Sequence, residues 1–378
     1  MCKKSRFLMS ILIMVFLFTG MVNAAPKKIT TVEDQVVINT STGIHADWVE
    51  CVIPEFKDYI KTKYGKNVDV IVAPGAIAQN WTKLEIEWPK PSGDLYVLYK
   101  NLIAEGAKAG YWEKMLDYYT DEELAPFNKT ALEAHGGYSI ANNIHFWGPV
   151  VRKDLIPIKF NSWSDFAEPK IKGRMTFDSA LLVGSGSLSV LAAGIQLGAD
   201  WEKDWVAKDG TLNKKAIEPT MRLVRKWYEN SLTLTEGSGT IRPLLQRGET
   251  MVSAWWSHQA LAQKEAGYNV EFIFPKEGTI AWGFNGYVIP KTAKHKNLAI
   301  EFHKFLLSKR GYELAYKRGI FGFLIPRSDV EIPAQEKNFQ PPANLPVVAG
   351  YDFYDWLEKE NVHDDFIDMF VRIVIQGQ

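Results

Sequence analysis

Cysteine is nearly missing from this sequence, which has two in 378 residues, and only Cys51 lies beyond the first 24. A disulfide framework within one chain is therefore excluded beyond that stretch. An excess of charge of one sign is also missing. The 44 Lys and Arg residues face 44 Asp and Glu residues, a balance that argues against binding along a nucleic-acid backbone. What is present, 46% hydrophobic and 23% charged residues, indicates a folded globular protein.

Short catalytic motifs are lacking as well. The sequence contains no Gly-x-Ser-x-Gly elbow, no phosphate-binding Gly-x-x-x-x-Gly-Lys-Ser/Thr loop, no His-Glu-x-x-His and no clustered Cys and His. We therefore expect no enzyme, no metal site and no cofactor. The seven histidines are scattered along the chain, so a secreted hydrolase whose triad assembles only in space stays a competing hypothesis. A structural or adhesive surface protein is the third.

Only one long hydrophobic run occurs, at residues 7–21. Basic residues at positions 3–6 precede it and a compact Val-Asn-Ala follows at 22–24. This pattern predicts a secretory signal peptide over residues 1–24, cleaved before Ala25. The run of ~15 apolar residues is shorter than the ~20 that a membrane-spanning helix needs. We therefore expect an exported protein without a membrane anchor.

Strand and helix patterns alternate along the rest of the chain. Gln35 to Asn39 reads as a strand, Thr40 to Gly43 supplies helix-capping residues, and Ile44 to Tyr64 has helical spacing. Further strands are predicted at Val68 to Ala73, Leu95 to Leu98, Arg174 to Phe177 and Ile280 to Ile289, and further helices at Leu188 to Leu197 and Asn297 to Leu307. This alternation predicts an α/β fold with parallel sheets, and the length predicts two domains.

Several short motifs in a fixed order carry a family resemblance. They are Val52-Ile53-Pro54-Glu55-Phe56, Trp147-Gly148, Ser162-Trp163-Ser164-Asp165-Phe166, Phe274-Pro275-Lys276-Glu277-Gly278 and Ala299-Ile300-Glu301-Phe302. In this order the chain resembles the extracellular solute-binding proteins of bacterial ABC transporters. The group includes binders of spermidine and putrescine, of ferric iron, and of phosphonates or sugar phosphates.

The resemblance implies a two-domain periplasmic-binding-protein type II fold with a ligand cleft between the domains and crossing hinge strands. It places residues 25–145 plus about 283–310 in domain 1, and residues 146–282 plus about 311–378 in domain 2. It also implies a small-molecule ligand, an ABC transporter permease as partner, a monomer and a periplasmic location. Closure of the domains over the ligand would expose a surface to the permease.

A set of ligand-binding residues follows from the same resemblance. These residues lie in the loops and crossings that such a fold brings to its cleft: Ser41, Thr42, Gly43, Asn143, Phe146, Trp147, Asp178, Gly184, Ser185, Gly186, Ser187, Trp255, Trp256, Ser257, Trp282 and Asn285. Strand alternation requires one of Trp255 and Trp256 to face the core.

The ligand class is predicted from two donor-rich helix starts. Gly184 to Ser187 precedes one helix and Thr40 to Gly43 another, and a helix N-terminus favours an anion. We therefore predict a small polar, anionic or polyhydroxy organic solute. A polyamine is the alternative, although Asn285 stands where the polyamine binders have an acid, because Trp rings also suit cations. A ferric-iron ligand is a further alternative, although the adjacent tyrosines, Tyr118 and Tyr119, lie in the first domain rather than the second.

The first prediction concerns processing. The mature protein should begin at Ala25, because a charged segment, an apolar segment and small residues precede it in the order that signal peptidase requires. The intact mass of the exported protein measures this directly. A mass that retains residues 1–24 would contradict the prediction.

Overall fold

The computed structural model describes residues 25–41, 44–142, 144–181, 184–235, 238–319, 325–342 and 344–378. The predicted signal peptide lies outside the described residues. Within them the chain forms two β-sheets with helices on their faces, which confirms the predicted α/β class. None of the described helices is both long and apolar enough to cross a bilayer.

The first sheet has the strand order β10-β3-β1-β2. β1 pairs in parallel with β2 and β3, and β10 pairs antiparallel with β3. We call this sheet with its helices the first lobe. Its elements are β1 (Gln35–Ser41), α1 (Ile44–Tyr64), β2 (Asp69–Gly75), α2 (Ile77–Glu87), β3 (Leu95–Leu98), α3 (Lys100–Lys108), α4 (Asp121–Leu124), α5 (Lys129–Glu133), β10 (Gly286–Val288), α11 (Lys296–Leu306) and α12 (Lys309–Lys317).

The second sheet has the order β11-β9-β4-β7-β5-β6, and β8 also pairs with β4. We call this sheet with its helices the second lobe. Its elements are β4 (Ile144–Arg152), β5 (Met175–Asp178), α6 (Leu188–Leu197), α7 (Trp201–Asp204), α8 (Lys214–Glu229), β6 (Ser231–Thr235), α9 (Ser238–Gln246), β7 (Val252–Trp256), α10 (Ser257–Glu265), β8 (Val270–Phe272), β9 (Thr279–Gly283), β11 (Val347–Ala349), α14 (Gly350–Leu357), α15 (Glu360–Met369) and a π-helical turn (Phe370–Gln376). The short helix α13 (Ala334–Lys337) lies on the chain between α12 and β11.

The predicted parallel pairing holds for only part of each sheet, because β10 is antiparallel in the first sheet and the second sheet is also mixed. β4 runs antiparallel to β7, β8 and β9, whereas β5 is parallel to β6 and β7. The reason is the entry of the chain, since β4 comes directly from the first lobe without a crossover helix. A strand that enters in this way is not bound to the parallel direction that βαβ connections impose.

The strand predicted over residues 280–289 is two strands in two different sheets. β9 ends at Gly283, Phe284 follows with a φ of 47°, and β10 begins at Gly286. Positive φ is rare for a residue with a large side chain, so the backbone turns sharply here. This turn carries the chain from the second lobe to the first. It lies beside the earlier crossing, because Asn142 N donates to Asn285 O at 2.9 Å.

Residues 311–317 were predicted in the second domain, and the structure corrects this placement. They belong to α12, which packs on α1 of the first lobe. The Trp48 ring nitrogen donates to Gly311 O at 3.1 Å, and the Trp48 and Tyr312 rings lie 4.9 Å apart. Apolar packing against α1 therefore keeps the chain in the first lobe through α12. The other domain boundaries stay predictions.

Buried side chains form two clusters. One runs from the first sheet onto the face of the second sheet that carries α10, and it includes Phe56, Trp112 and Trp255. The other lies on the opposite face of the second sheet, where the Phe177 and Trp227 rings stack 5.9 Å apart. Because the first cluster is continuous between the two sheets, apolar side chains surround the segments where the chain crosses from one lobe to the other.

A buried carboxylate ties α11 to α1 in the first lobe. Glu301 is 3% exposed and accepts hydrogen bonds from Tyr59 Oη at 2.7 Å, Tyr64 Oη at 2.8 Å and Lys63 Nζ at 2.9 Å. Burial, and then the Glu301 carboxylate, raise the pKa of Tyr64 to about 12, so its phenol stays a donor. The charge of Glu301 is thus both paired and hydrogen-bonded, as a buried charge requires.

Replacing Glu301→Gln should lower the free energy of unfolding by roughly 1–3 kcal/mol, because hydrogen bonds to a charged acceptor are lost. Urea denaturation at pH 7 measures the change. Asp69→Asn is the control, since Asp69 pairs with Lys57 at 3.4 Å but is 82% exposed, and it should have a much smaller effect. Equal effects of the two substitutions would contradict this role of Glu301.

Candidate functional site

The carboxyl ends of strands from both lobes meet at one place beside the crossings. From the first lobe come Ser41 at the end of β1 and His45 in the first turn of α1. From the second lobe come Trp256 at the end of β7 and Trp282 near the end of β9. Ligands of open α/β sheets bind beyond the carboxyl ends of the strands, so this is where a cleft is expected.

Four aromatic side chains of the second lobe line one side of this region, and we call them the aromatic wall. The Trp256 and Trp282 rings lie 5.7 Å apart, and Trp282 lies 5.0 Å from Tyr351 and 5.6 Å from Tyr354. Trp256, Trp282 and Tyr354 are half-buried, so part of each ring remains accessible. Such a surface suits the apolar or cationic part of a small solute.

Three histidines and an asparagine form what we call the polar floor, namely His45, His145, His258 and Asn285. The His145 and His258 rings lie 4.9 Å apart, and Asn285 Nδ2 lies 3.3 Å from His45 Nε2. Asn285 is 3% exposed, and in the part of the chain that the structure describes its Oδ1 makes no hydrogen bond. A buried oxygen without a partner is an acceptor that a bound solute can satisfy.

Two histidines of the polar floor, His145 and His258, are uncharged at neutral pH. Burial lowers the pKa of His258 to about 4, and it lowers the pKa of His145 well below the ordinary value. The neighbouring histidines lower both further, because like charges repel. Among the described residues no group of His, Cys, Asp and Glu could hold a metal ion. At His145 and His258 the floor therefore offers hydrogen-bonding groups rather than charge.

The Gly184 to Ser187 segment folds back onto Asp178. It forms a 3-10 turn ahead of α6, and Ser185 Oγ donates to Asp178 Oδ2 at 2.7 Å. Thr235 Oγ1 donates to the other carboxylate oxygen at 2.8 Å. A Cβ at Gly186 would collide with the backbone after β5, which explains why glycine stands there. The Ser185 hydroxyl hydrogen is thus already donated to a carboxylate of the protein.

The structure separates the predicted site residues into two groups. Five of them are buried and belong to the packing behind the site. Phe146, Trp147, Trp255 and Ser257 are fully buried, and Ser187 is 4% exposed. Trp147 stacks on Trp163, and Ser257 Oγ accepts from Phe146 N at 3.0 Å. Those that the structure places at the meeting of the lobes are Ser41, Trp256, Trp282 and Asn285. Asp178, the last residue of β5, is buried, and Gly184 to Gly186 lie in the turn ahead of α6. Thr42, Gly43 and Asn143 lie outside the described residues.

Sequence reasoning missed the three histidines and Tyr351. The histidines lie on α1, β4 and α10 and meet only in the folded chain, so no spacing reveals them. A local signal existed for His45, because it follows Ser41 by four residues at a helix start, where their side chains can meet. Ser41 Oγ lies 2.6 Å from His45 Nδ1. Tyr351 lies far along the chain from Trp256 and Trp282, so no local pattern links it to them.

A two-lobed α/β fold with a site between its lobes is a solute-binding architecture, and comparison with known proteins agrees. Residues 56–346 match the family of bacterial extracellular solute-binding proteins, so this chain belongs to that family. A solved structure of an ABC transporter protein from Clostridium perfringens has a TM-score of 0.67 at 21% identity, covering 90% of this chain and 99% of its own. This likeness supports the fold.

Curated relatives match over part of their length. An uncharacterized protein of Haemophilus influenzae is 26% identical over 63% of this chain and 65% of its own length. The spermidine/putrescine-binding periplasmic protein of Escherichia coli is 26% identical over 46% of each chain. The chain thus spans less than two thirds of the length of each of these relatives.

The floor histidines predict a pH dependence of stability. The unfolded chain binds a proton at His258 near pH 6.5, whereas the folded chain binds it only near pH 4. Stability is therefore unaffected above pH 6.5 and falls as the pH drops from 6.5 toward 4. From pH 7.5 to pH 5 His258 should account for roughly 2 kcal/mol of lost stability.

The measurement is urea denaturation of the parent and of His258→Gln at both pH values. The variant should lose less stability on acidification than the parent. His363→Gln is the control, because His363 is 45% exposed on α15, and it should follow the parent. A His258→Gln variant with the full acid loss would show that this histidine is not held neutral by burial.

Proposed function

We propose that this protein captures a small polar organic solute between its two lobes and delivers it to the permease of an ABC transporter. The observation that carries the proposal is the junction of the lobes, where the aromatic wall and the polar floor converge from both sides. Aromatic surface with a few placed polar groups is the usual composition of a small-molecule site. Membership in the solute-binding family supports the same function.

The location and assembly are part of the proposal. Cleavage after residue 24 would release the chain into the periplasm, where an extracellular solute-binding protein works. We propose that it acts there as a monomer, that its macromolecular partner is the permease and not a nucleic acid, and that it does not transform its ligand. The contact between Ser41 and His45 makes this last point worth testing, although the other ring nitrogen of His45 faces an amide rather than a carboxylate.

Two observations favour an organic amine within this function. The unpartnered Asn285 Oδ1 accepts rather than donates, and the acidic Asp355 lies on α14, the helix that carries Tyr351 and Tyr354 of the aromatic wall. Relatives named as spermidine/putrescine-binding proteins support the same class. The anionic solute predicted from the helix starts stays the alternative, and it has lost some support because Ser185 already donates to Asp178.

Ferric iron has less support than either organic ligand. The adjacent Tyr118 and Tyr119 lie away from the cleft, since Tyr118 Oη donates to Glu113 at 2.9 Å and Tyr119 Oη pairs with His303 Nδ1 at 2.9 Å. Burial raises the pKa of Tyr118 to about 12, and it raises the pKa of Tyr119 well above its ordinary value. Phenols that keep their protons are poor ligands for a cation.

A melting screen tests the function itself. One member of a panel of polyamines, amino acids, phosphonates, sugar phosphates, carboxylates and sugars should stabilise the mature protein by about 2.7 kcal/mol at 100 times its dissociation constant. Mass spectrometry of the recovered solute should show it unchanged. If no compound raises the melting temperature, the proposal fails, and a modified solute would favour the hydrolase.

The substitution Asn285→Asp separates the two ligand classes. A carboxylate at this position should tighten the binding of spermidine or putrescine about tenfold and weaken the binding of an anion by a similar factor, which corresponds to ~1.4 kcal/mol. Calorimetry measures the affinity of each solute for the parent and the variant. Asn338→Asp is the control, because it makes the same charge change at an exposed position remote from the site.

If Asn285→Asp weakens the binding of amines and tightens the binding of anions, Asn285 does not accept a hydrogen bond from the solute. If both variants behave alike, Asn285 does not contact the ligand.

A further inference from the structure

A second set of contacts joins the lobes across the candidate site. Lys100 Nζ in α3 of the first lobe lies 2.6 Å from Asp352 Oδ1 in α14 of the second. Beside this pair Tyr351 Oη donates to Asn101 Oδ1 at 2.5 Å, and the Tyr351 and Tyr99 rings lie 5.8 Å apart. The first two residues of α3 and the residue before it thus all contact the first turns of α14.

Each of the two helices is held firmly within its own lobe. α14 follows β11, which pairs with β9, and its Phe353 and Trp356 side chains are buried in the second cluster. A Cβ at Gly350 would press against Ile280 of β9, so the helix starts directly on the sheet. In the first lobe Ile103 of α3 is 1% exposed. Neither helix can shift alone, so these contacts break only when the lobes separate.

Tyr351 is the side chain that belongs to both sets of contacts. One side of its ring faces Trp282 of the aromatic wall at 5.0 Å, while its hydroxyl reaches across to Asn101 of the opposite lobe. Burial raises the pKa of this phenol above its ordinary value, so the hydroxyl keeps the proton that it donates. A solute that packs on Trp282 therefore touches the residue that holds the lobes together.

We propose that Tyr351 is a positioning residue that couples the aromatic wall to closure of the two lobes. The proposal rests on the proposed function only for its second half, since the contacts exist without a solute. The Lys100–Asp352 pair adds to closure but depends on salt, because its side chains are 33% and 36% exposed. The apparent affinity is proportional to the fraction of molecules in the closed state, so weaker closure means weaker binding.

The test compares Tyr351→Phe with Tyr118→Phe in the mature, solute-free protein. Each substitution keeps the ring and removes one hydroxyl, but the Tyr351 hydroxyl donates to Asn101 of the other lobe, whereas the Tyr118 hydroxyl donates to Glu113 of its own lobe, away from the site. Small-angle scattering and a fluorescence distance between labels on the two lobes measure closure. Tyr351→Phe should raise the ratio of open to closed molecules about fivefold, the effect of one hydrogen bond, and Tyr118→Phe should leave it unchanged.

Two further variants keep the test decisive. Asn101→Ala removes the same hydrogen bond from the opposite lobe, and combined with Tyr351→Phe it should have no additional effect. Asp352→Asn should remove most of the change in closure between 0.05 and 1 M NaCl. If Tyr351→Phe and Asn101→Ala both leave closure unchanged, or if their effects add in full, the proposal is overturned.

Spermidine or putrescine, or whichever solute of the panel raises the melting temperature, serves as the probe for coupling. Its affinity should fall about fivefold in Tyr351→Phe and stay unchanged in Tyr118→Phe. If Tyr351→Phe shifts closure but no solute of the panel stabilises the protein, the proposed function is contradicted and the contact between the lobes stands. If Tyr351→Phe shifts closure about fivefold but leaves the affinity unchanged, the coupling alone is contradicted.

Discussion

The hydrogen bond from Asn142 N to Asn285 O holds the two crossing segments of the chain side by side, and the arrangement of the site depends on it. Because β4 begins and β9 ends at this junction, the sheet of the second lobe has its aromatic residues next to the crossings. β10 begins just beyond it and pairs with β3, which directs the first sheet toward the same place. The sharp turn at Phe284, whose carbonyl accepts from His135 Nε2 at 2.7 Å, fixes where the chain changes lobes.

Buried polar groups are treated differently in the two regions of the molecule. Within the first lobe the Glu301 carboxylate is paired with Lys63 and accepts from two phenols. At the floor of the site burial lowers the pKa of His145 and of His258, so both imidazoles are neutral at pH 7. Neutral imidazoles can donate and accept hydrogen bonds and avoid the desolvation cost of a fixed charge. Under the proposed function, such a floor suits polar solutes that are bound by hydrogen bonds.

Local patterns predicted the elements whose structure is decided locally. The strand Leu95–Leu98 and the helix Leu188–Leu197 have the predicted bounds, since the turn residues before the strand and the glycine after the helix mark those bounds in the local sequence. Alternation also showed that one of Trp255 and Trp256 faces the core, and the pattern could not say which. The contact of Ser185 with Asp178 and the placement of α12 depend on packing between distant segments, which periodicity does not record. For the same reason the aromatic wall was half predicted: Trp256 and Trp282 lie on strands that the motifs located, whereas Tyr351 joins them only because β11 pairs with β9.

The return of the chain to the second lobe after α12 explains why a helix near its end takes part in the site. β11 adds an edge to the second sheet next to β9, and the chain passes from it without a loop into α14. A parallel strand at that edge delivers the following helix to the carboxyl end of β9, where Trp282 lies. The wall and the contact with α3 are therefore built by the same strand pairing. A change that weakens the pairing of β11 with β9 would disturb both the aromatic wall and the contact with α3.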